Sequence, residues 1–286
     1  MEKLARKGRF HEIAHRLLAC IDMELRASEW IVIAYFAYLA VAAAVVGSIG
    51  RQQRFRVIAM AIAVLIAVLT IATFGTSATF WRDWMPLIYI VIGYRLPAFL
   101  VTRMNQEFER KLLTLDRRWL VTTISARAPR SVIELLELAY LCCYPMVPVG
   151  YACLYFAGLR EESDRFWTAV LLAVFGCYGT LPWLPTRPPR AIEGAPMRSS
   201  GLVRGVNLSV LGVASVQLNT FPSGHTAAAL ATALAVGALL PIAGLLLGLL
   251  ALAIAIGSVV GRYHYAADAL AGAALALLGF VISRWV

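Results

Sequence analysis

The chain is predicted to fold as an all-α polytopic membrane helix bundle, and three observations predict it. Hydrophobic residues make up 60% of the 286 positions and charged residues only 15%, where a soluble domain carries about 25% charged residues. The mean hydropathy is +0.75, and several apolar runs exceed the roughly 18 residues that mark a membrane-spanning helix. Charge is also nearly absent at one end: between Gly205 and Val286 only Arg262, Asp268 and Arg284 are formally charged. The expected bundle has about six core transmembrane helices, two N-terminal spans and an N-terminal amphipathic helix.

Residues 1–28 space Phe10, Ile13, Leu17, Ile21 and Leu25 three or four apart, with Arg6, Lys7, Arg9 and Arg16 largely elsewhere. That pattern predicts an amphipathic helix lying in the membrane interface. His11 and His15, one turn apart within it, read as part of its solvated face rather than as a metal pair. The same N-terminus lacks the short basic region and small-residue cleavage site of a signal peptide, so its removal is not expected.

Two additional spans are expected at about 29–49 and 56–75, separated by a basic turn from Arg51 to Arg56. The segment 84–101 is apolar but holds Pro86, Arg95 and Pro97, and reads either as a span or as a re-entrant or interfacial helix. Residues 102–130 are charged and predict a surface helix followed by a loop. Apolar character returns at about 134–158 and 166–184. The stretch 185–221 reads as a long polar loop, opening with Arg187-Pro188-Pro189-Arg190. Thr226 to Gly261 then runs 36 residues without a charge, about 54 Å as one helix against a bilayer core of roughly 30 Å. The run must fold back at Pro241, giving spans at about 223–240 and 242–260, and a last span covers about 266–283. Three regions result: the interfacial helix 1–28, two extra spans in 29–80, and the remaining membrane domain in 81–286.

The net charge of +10 comes mainly from arginine and gathers in the N-terminus and in 103–130. It fits contact with anionic lipid headgroups; no nucleic-acid recognition motif accompanies it, so no nucleic-acid partner is expected. The five cysteines, Cys20, Cys142, Cys143, Cys153 and Cys177, form no Cys-x-x-Cys pair and read as free apolar thiols.

The fold-back at Pro241 has a geometric consequence. His225 stands at the start of one helix and His264 just past the end of the next, so one passage down and one back brings both to the same membrane face. The loop with Arg187 and Arg190 precedes the first of these helices and reaches that face too. His264 and Asp268 are spaced to stack one turn apart on a helix. The carboxylate can fix the imidazole tautomer and leave the second ring nitrogen free as nucleophile or base. Ser223 is a good N-cap, Gly224 permits close approach to the backbone, and a helix start cradles phosphate. His225, in that first turn, can protonate a leaving oxygen. Arg187, Arg190 and Arg262 can contact phosphoryl oxygens, whereas Arg198 and Arg204 read as headgroup anchors.

These residues resemble the type 2 phosphatidic acid phosphatase superfamily, whose motifs run approximately Lys-x6-Arg-Pro, Pro-Ser-Gly-His and Ser-Arg-x5-His-x3-Asp. Arg187-Pro188 matches the end of the first, Pro222 to His225 the second, and His264-x3-Asp268 the core of the third. The first-motif lysine falls at Thr180 and the third-motif Ser-Arg at Gly257-Ser258, with Arg190 and Arg262 as substitutes for the missing cations. Arg-Pro-Pro-Arg, His-Tyr-x2-Asp and Arg82-Asp-Trp-Met-Pro86 with Tyr94 are similar to the inositol-phosphorylceramide-synthase-like branch.

The resemblance implies a metal-independent membrane phosphoesterase. His264 is the nucleophile, Asp268 orients it and His225 is the general acid. Arg187, Arg190, Ser223, Gly224 and Arg262 bind the phosphate. The expected activity is hydrolysis of a lipid phosphate or diphosphate through a phosphohistidine; the alternative is headgroup transfer to an alcohol or polyol. A rival from another class is a transporter or binding protein. No cofactor, metal or particular oligomeric state is implied. Counting eight spans places the site opposite both termini, and the family precedent puts it on the extracytoplasmic face of the cell membrane.

Overall fold

In the computed structural model, residues 24–119, 121–194, 201–216, 218 and 221–286 are described. The predicted interfacial helix with His11 and His15 falls almost entirely outside them, as do Cys20 and Arg198. Every regular element among the described residues is helical, and no strand forms among them.

Helices α1 (Ala27–Val45) and α2 (Arg51–Thr73) form an N-terminal hairpin. The expected basic turn is instead the first turn of α2, where the Gly50 amide donates to Gln53 Oε1 at 3.2 Å. Helix α3 (Thr79–Arg95) continues into a 3₁₀ turn, Leu96–Leu100. The charged segment then forms α4 (Gln106–Arg118) and α5 (Val121–Arg127). The predicted span 134–158 divides into α6 (Arg130–Leu141) and α7 (Cys143–Phe156), bent by 56°. Pro145 cannot donate to the Leu141 carbonyl, which is sufficient to break the helix there. Helix α8 (Ser163–Tyr178) is followed by the short α9 (Pro189–Glu193) and by α10 (Leu202–Ala214), which occupies part of the expected loop. The chain closes with α11 (Gly224–Gly237), α12 (Pro241–Val260) and α13 (Ala266–Ser283).

Four of these helices are long and apolar enough to cross a membrane, namely α1, α2, α12 and α13, and a fifth span arises if α6 and α7 count as one. The remaining expected spans form shorter helices, so the eightfold count is not met by length and composition alone.

Helix α11 packs against α7, α8, α12 and α13. Its buried face is mostly small (Ala227, Ala229, Ala231, Ala233, Ala235), which lets membrane helices approach closely. At the turn into α12, Gly237 and Gly244 touch backbone to backbone. Cys142, Cys143, Cys153 and Cys177 are free thiols.

The Arg82-Asp83 pair lies at the end of α3 away from Tyr94. Asp83 is fully buried between Arg26 (2.8 Å) and Arg160 (3.0 Å), and Arg82 pairs with Glu29 at 2.6 Å. These ion pairs fasten α1, α3 and the start of α8 together.

Candidate active site

The turn between α12 and α13 carries Gly261-Arg262-Tyr263-His264. Arg262 has φ +62°, a left-handed conformation that is costly for a residue with a Cβ. It is held there by neighbouring bonds: the Tyr263 and His264 amides both donate to the Ser258 carbonyl, at 2.8 and 2.9 Å, and the Arg190 amide donates to the Arg262 carbonyl at 3.1 Å. Ser258, where the resemblance expects an arginine, thus works through its backbone.

His264 Nδ1 lies 3.3 Å from Asp268 Oδ2, and the same oxygen accepts the Tyr265 amide at 3.1 Å. Asp268 therefore caps α13 and orients the imidazole together, leaving Nε2 as the second ring nitrogen. His264 is 6% exposed and Asp268 fully buried. Burial, with the Arg190 charge adding to it, holds the His264 pKa below the ordinary imidazole range, so the ring is neutral near pH 7, as a nucleophile must be.

Helix α11 is set against this unit by two contacts. The Ser223 amide donates to the Asp268 carbonyl at 3.0 Å. A Cβ on Gly272 of α13 would stand 2.5 Å from the Ser223 carbonyl oxygen, so only glycine permits that approach. Ser223 Oγ accepts the Thr226 amide at 3.4 Å, the predicted N-cap. The His225 ring consequently meets the His264 ring edge to face, centroids 5.6 Å apart, and lies against Tyr140 and Tyr144. Gly224 is needed for packing: a Cβ there would collide with the Tyr178 ring at 2.5 Å. Thr180, at the position of the expected lysine, uses its hydroxyl to hold the Phe221 carbonyl ahead of α11.

Both imidazoles and Gly224 line a cavity of about 390 Å³. Among the described residues that line it none is a carboxylate, and its arginines are Arg95 and Arg190. Arg95 donates to the Val213 carbonyl at 3.1 Å. Arg190 has no carboxylate partner among the described residues and lies 4.9 Å over the Tyr263 ring, which in turn stacks on Tyr140 at 4.2 Å. Desolvation lowers the Arg190 pKa; a partly desolvated cation with no carboxylate partner among the described residues favours an anionic ligand. Leu87, Ile90 and Val91 of α3 and Val147 of α7 give the cavity an apolar part of its wall.

The other predicted cations point elsewhere. Arg187 is bound to Glu109 of α4, donating from its amide (2.8 Å), Nε (3.1 Å) and Nη2 (2.8 Å). Arg262 pairs with Glu193 and stands 3.6 Å from Asp116. Neither lines the cavity, nor does Ser223. Arg204, read as a headgroup anchor, is instead buried: it pairs with Glu137 at 2.6 Å and faces the Gly261 carbonyl. Glu137 also accepts from Asn207 at 2.7 Å and from the Tyr263 hydroxyl at 2.6 Å. This network seats α10 over the cavity, to which Leu211, Ala214 and Ser215 contribute. The cavity tyrosines and Glu137 carry no motif signal; only their place along apolar helices could have suggested them.

A model of the PAP2 superfamily matches residues 106–282, from the start of α4 almost to the end of α13. No significant match is found among curated proteins or among solved structures. Because the family match covers more than half of the chain and includes both histidines, Asp268 and Arg190, the chain belongs to the PAP2 superfamily.

Proposed function

We propose that this protein is a membrane phosphoesterase that hydrolyses a lipid phosphate or diphosphate through a phosphohistidine on His264. PAP2 superfamily members are phosphatases, and one observation carries the finer reading. Two imidazoles, one fixed by a carboxylate, share a cavity with Arg190, which has no carboxylate partner among the described residues, and apolar side chains of α3 and α7 line the same cavity for a lipid chain.

In this reading His264 Nε2 attacks phosphorus and the bond to the lipid oxygen breaks. His225, protonated once an anionic phosphate lies beside it, gives that oxygen a proton, so a lipid alcohol leaves from a monophosphate and a lipid monophosphate from a diphosphate. Water, losing a proton to His225, then attacks the phosphohistidine and releases phosphate. Arg190 and the positive end of α11 offset charge on the phosphoryl oxygens.

His225→Ala is expected to lower kcat by about 10²–10⁴-fold on a lipid phosphate, the usual worth of a general acid. The loss should shrink on p-nitrophenyl phosphate, whose leaving group needs no proton. Equal losses on both substrates would remove His225 from that role.

Among the described residues no group of three or more His, Cys, Asp or Glu side chains could hold a metal ion, and hydrolytic metal centres need such a set. Phosphate release from dioctanoyl phosphatidate is therefore expected to survive EDTA and to be inhibited by vanadate, which mimics five-coordinate phosphorus. Activity lost in chelator and restored by a divalent ion would overturn the mechanism. Assaying lipid alcohol and phosphate in parallel tests hydrolysis itself, since headgroup transfer to an added polyol yields a new diester instead of phosphate.

A further inference from the structure

Helix α4 buries Glu109, Leu112, Leu113 and Asp116 on one face. An interfacial helix ordinarily turns its carboxylates to water; here two of them, about 10.5 Å apart along the axis, point inward. Burial, with the Asp268 and Glu193 charges adding to it, pushes the Asp116 pKa up to about 6 despite the Ala266 amide and Arg262. A buried carboxylate of this kind adds little stability compared with an apolar residue, so its presence calls for another role.

Each carboxylate grips one flank of the site. Glu109 takes three donors from Arg187, in the loop that leads to Arg190. Asp116 Oδ1 accepts the amide of Ala266, the first residue of α13, at 3.0 Å, while Oδ2 faces Arg262. Between them the buried Tyr265 ring packs against Leu112 and Leu113, and its hydroxyl donates to the Arg187 carbonyl at 2.9 Å. The residues on either side of His264 are thus tied to one helix, α4. We infer that Glu109 and Asp116 are positioning residues for His264, holding the 262–266 turn and the Arg187 loop in register so that the imidazole faces the cavity. This inference rests on the proposed role of His264 as nucleophile.

The test uses the purified full chain in detergent, with dioctanoyl phosphatidate as substrate. Asp116→Asn is expected to lower kcat about 10²-fold, the cost of a small misplacement of a reacting group, with KM changed less than about twofold; Asp116→Glu should recover part of it. Combined with Asp268→Asn the losses should fall short of multiplying, since both act on the orientation of one ring. Independently of activity, Asp116→Ala and Glu109→Ala should speed amide hydrogen exchange in residues 262–266 while α11 stays protected. Unchanged exchange there, or Asp116→Asn protein that is folded and keeps its kcat while His264→Ala is inactive, overturns the positioning role alone. Wild-type protein without phosphate release would instead sink the functional reading, and the exchange measurement would still decide whether α4 holds the turn.

Discussion

His264→Ala is expected to abolish turnover of every phosphate ester, a loss on the order of 10⁶-fold, as when a covalent nucleophile is removed. The other cavity groups are poorly set to replace it: His225 has no carboxylate partner among the described residues, Tyr140 and Tyr263 are buried phenols with Tyr263 engaged with Glu137, Tyr144 is an exposed phenol, and Cys143 is a thiol buried among apolar side chains. The substitution leaves the fold intact in outline, because the His264 amide keeps its bond to Ser258 whatever the side chain. Substrate binding should persist through Arg190 and the apolar wall. Measurable steady-state turnover by folded His264→Ala protein would move the nucleophile elsewhere.

The second large effect is expected at Asp268. Asp268→Ala removes both the bond to His264 Nδ1 and the cap on the Tyr265 amide. Its kcat should fall on the order of 10⁴-fold with KM little changed. Asp268→Asn keeps the shape but can present its NH₂ to the imidazole and favour the wrong tautomer, and by analogy with the aspartate of serine-protease triads it too should lose about 10⁴-fold in kcat. Comparable losses in the two variants would show that the carboxylate acts by fixing the tautomer. If either variant raised KM severely while leaving kcat intact, Asp268 would be a binding residue and the dyad would have to be abandoned.

The sequence was most legible where chain length and solvent leave few choices. An uncharged run too long for one crossing had to turn at Pro241, and that turn brings His225 and His264 to one cavity wall. The four-residue spacing of His264 and Asp268 likewise became a direct contact. Contacts between segments far apart in sequence were not legible. Helix α10 was hidden because its buried face is Arg204, Asn207 and Leu211, a mostly polar stripe that meets Glu137 rather than an apolar core. Arg187 and Arg262 look in sequence like free cations beside a phosphate motif. Their partners Glu109 and Asp116 lie more than seventy residues away on a helix that reads as solvated surface. Arg190, by contrast, is marked out through Tyr263, a cation over an aromatic face, which leaves no sequence pattern.

The central claim is that phosphorus passes through His264. Rapid quenching of the protein during turnover of ³²P-labelled dioctanoyl phosphatidate tests it most directly. Label bound to the chain, stable in alkali and lost in acid, recovered on the peptide that contains His264 and absent from His264→Ala, is the predicted result. Turnover without any chain-bound label, or label stable to acid on a serine, would contradict it.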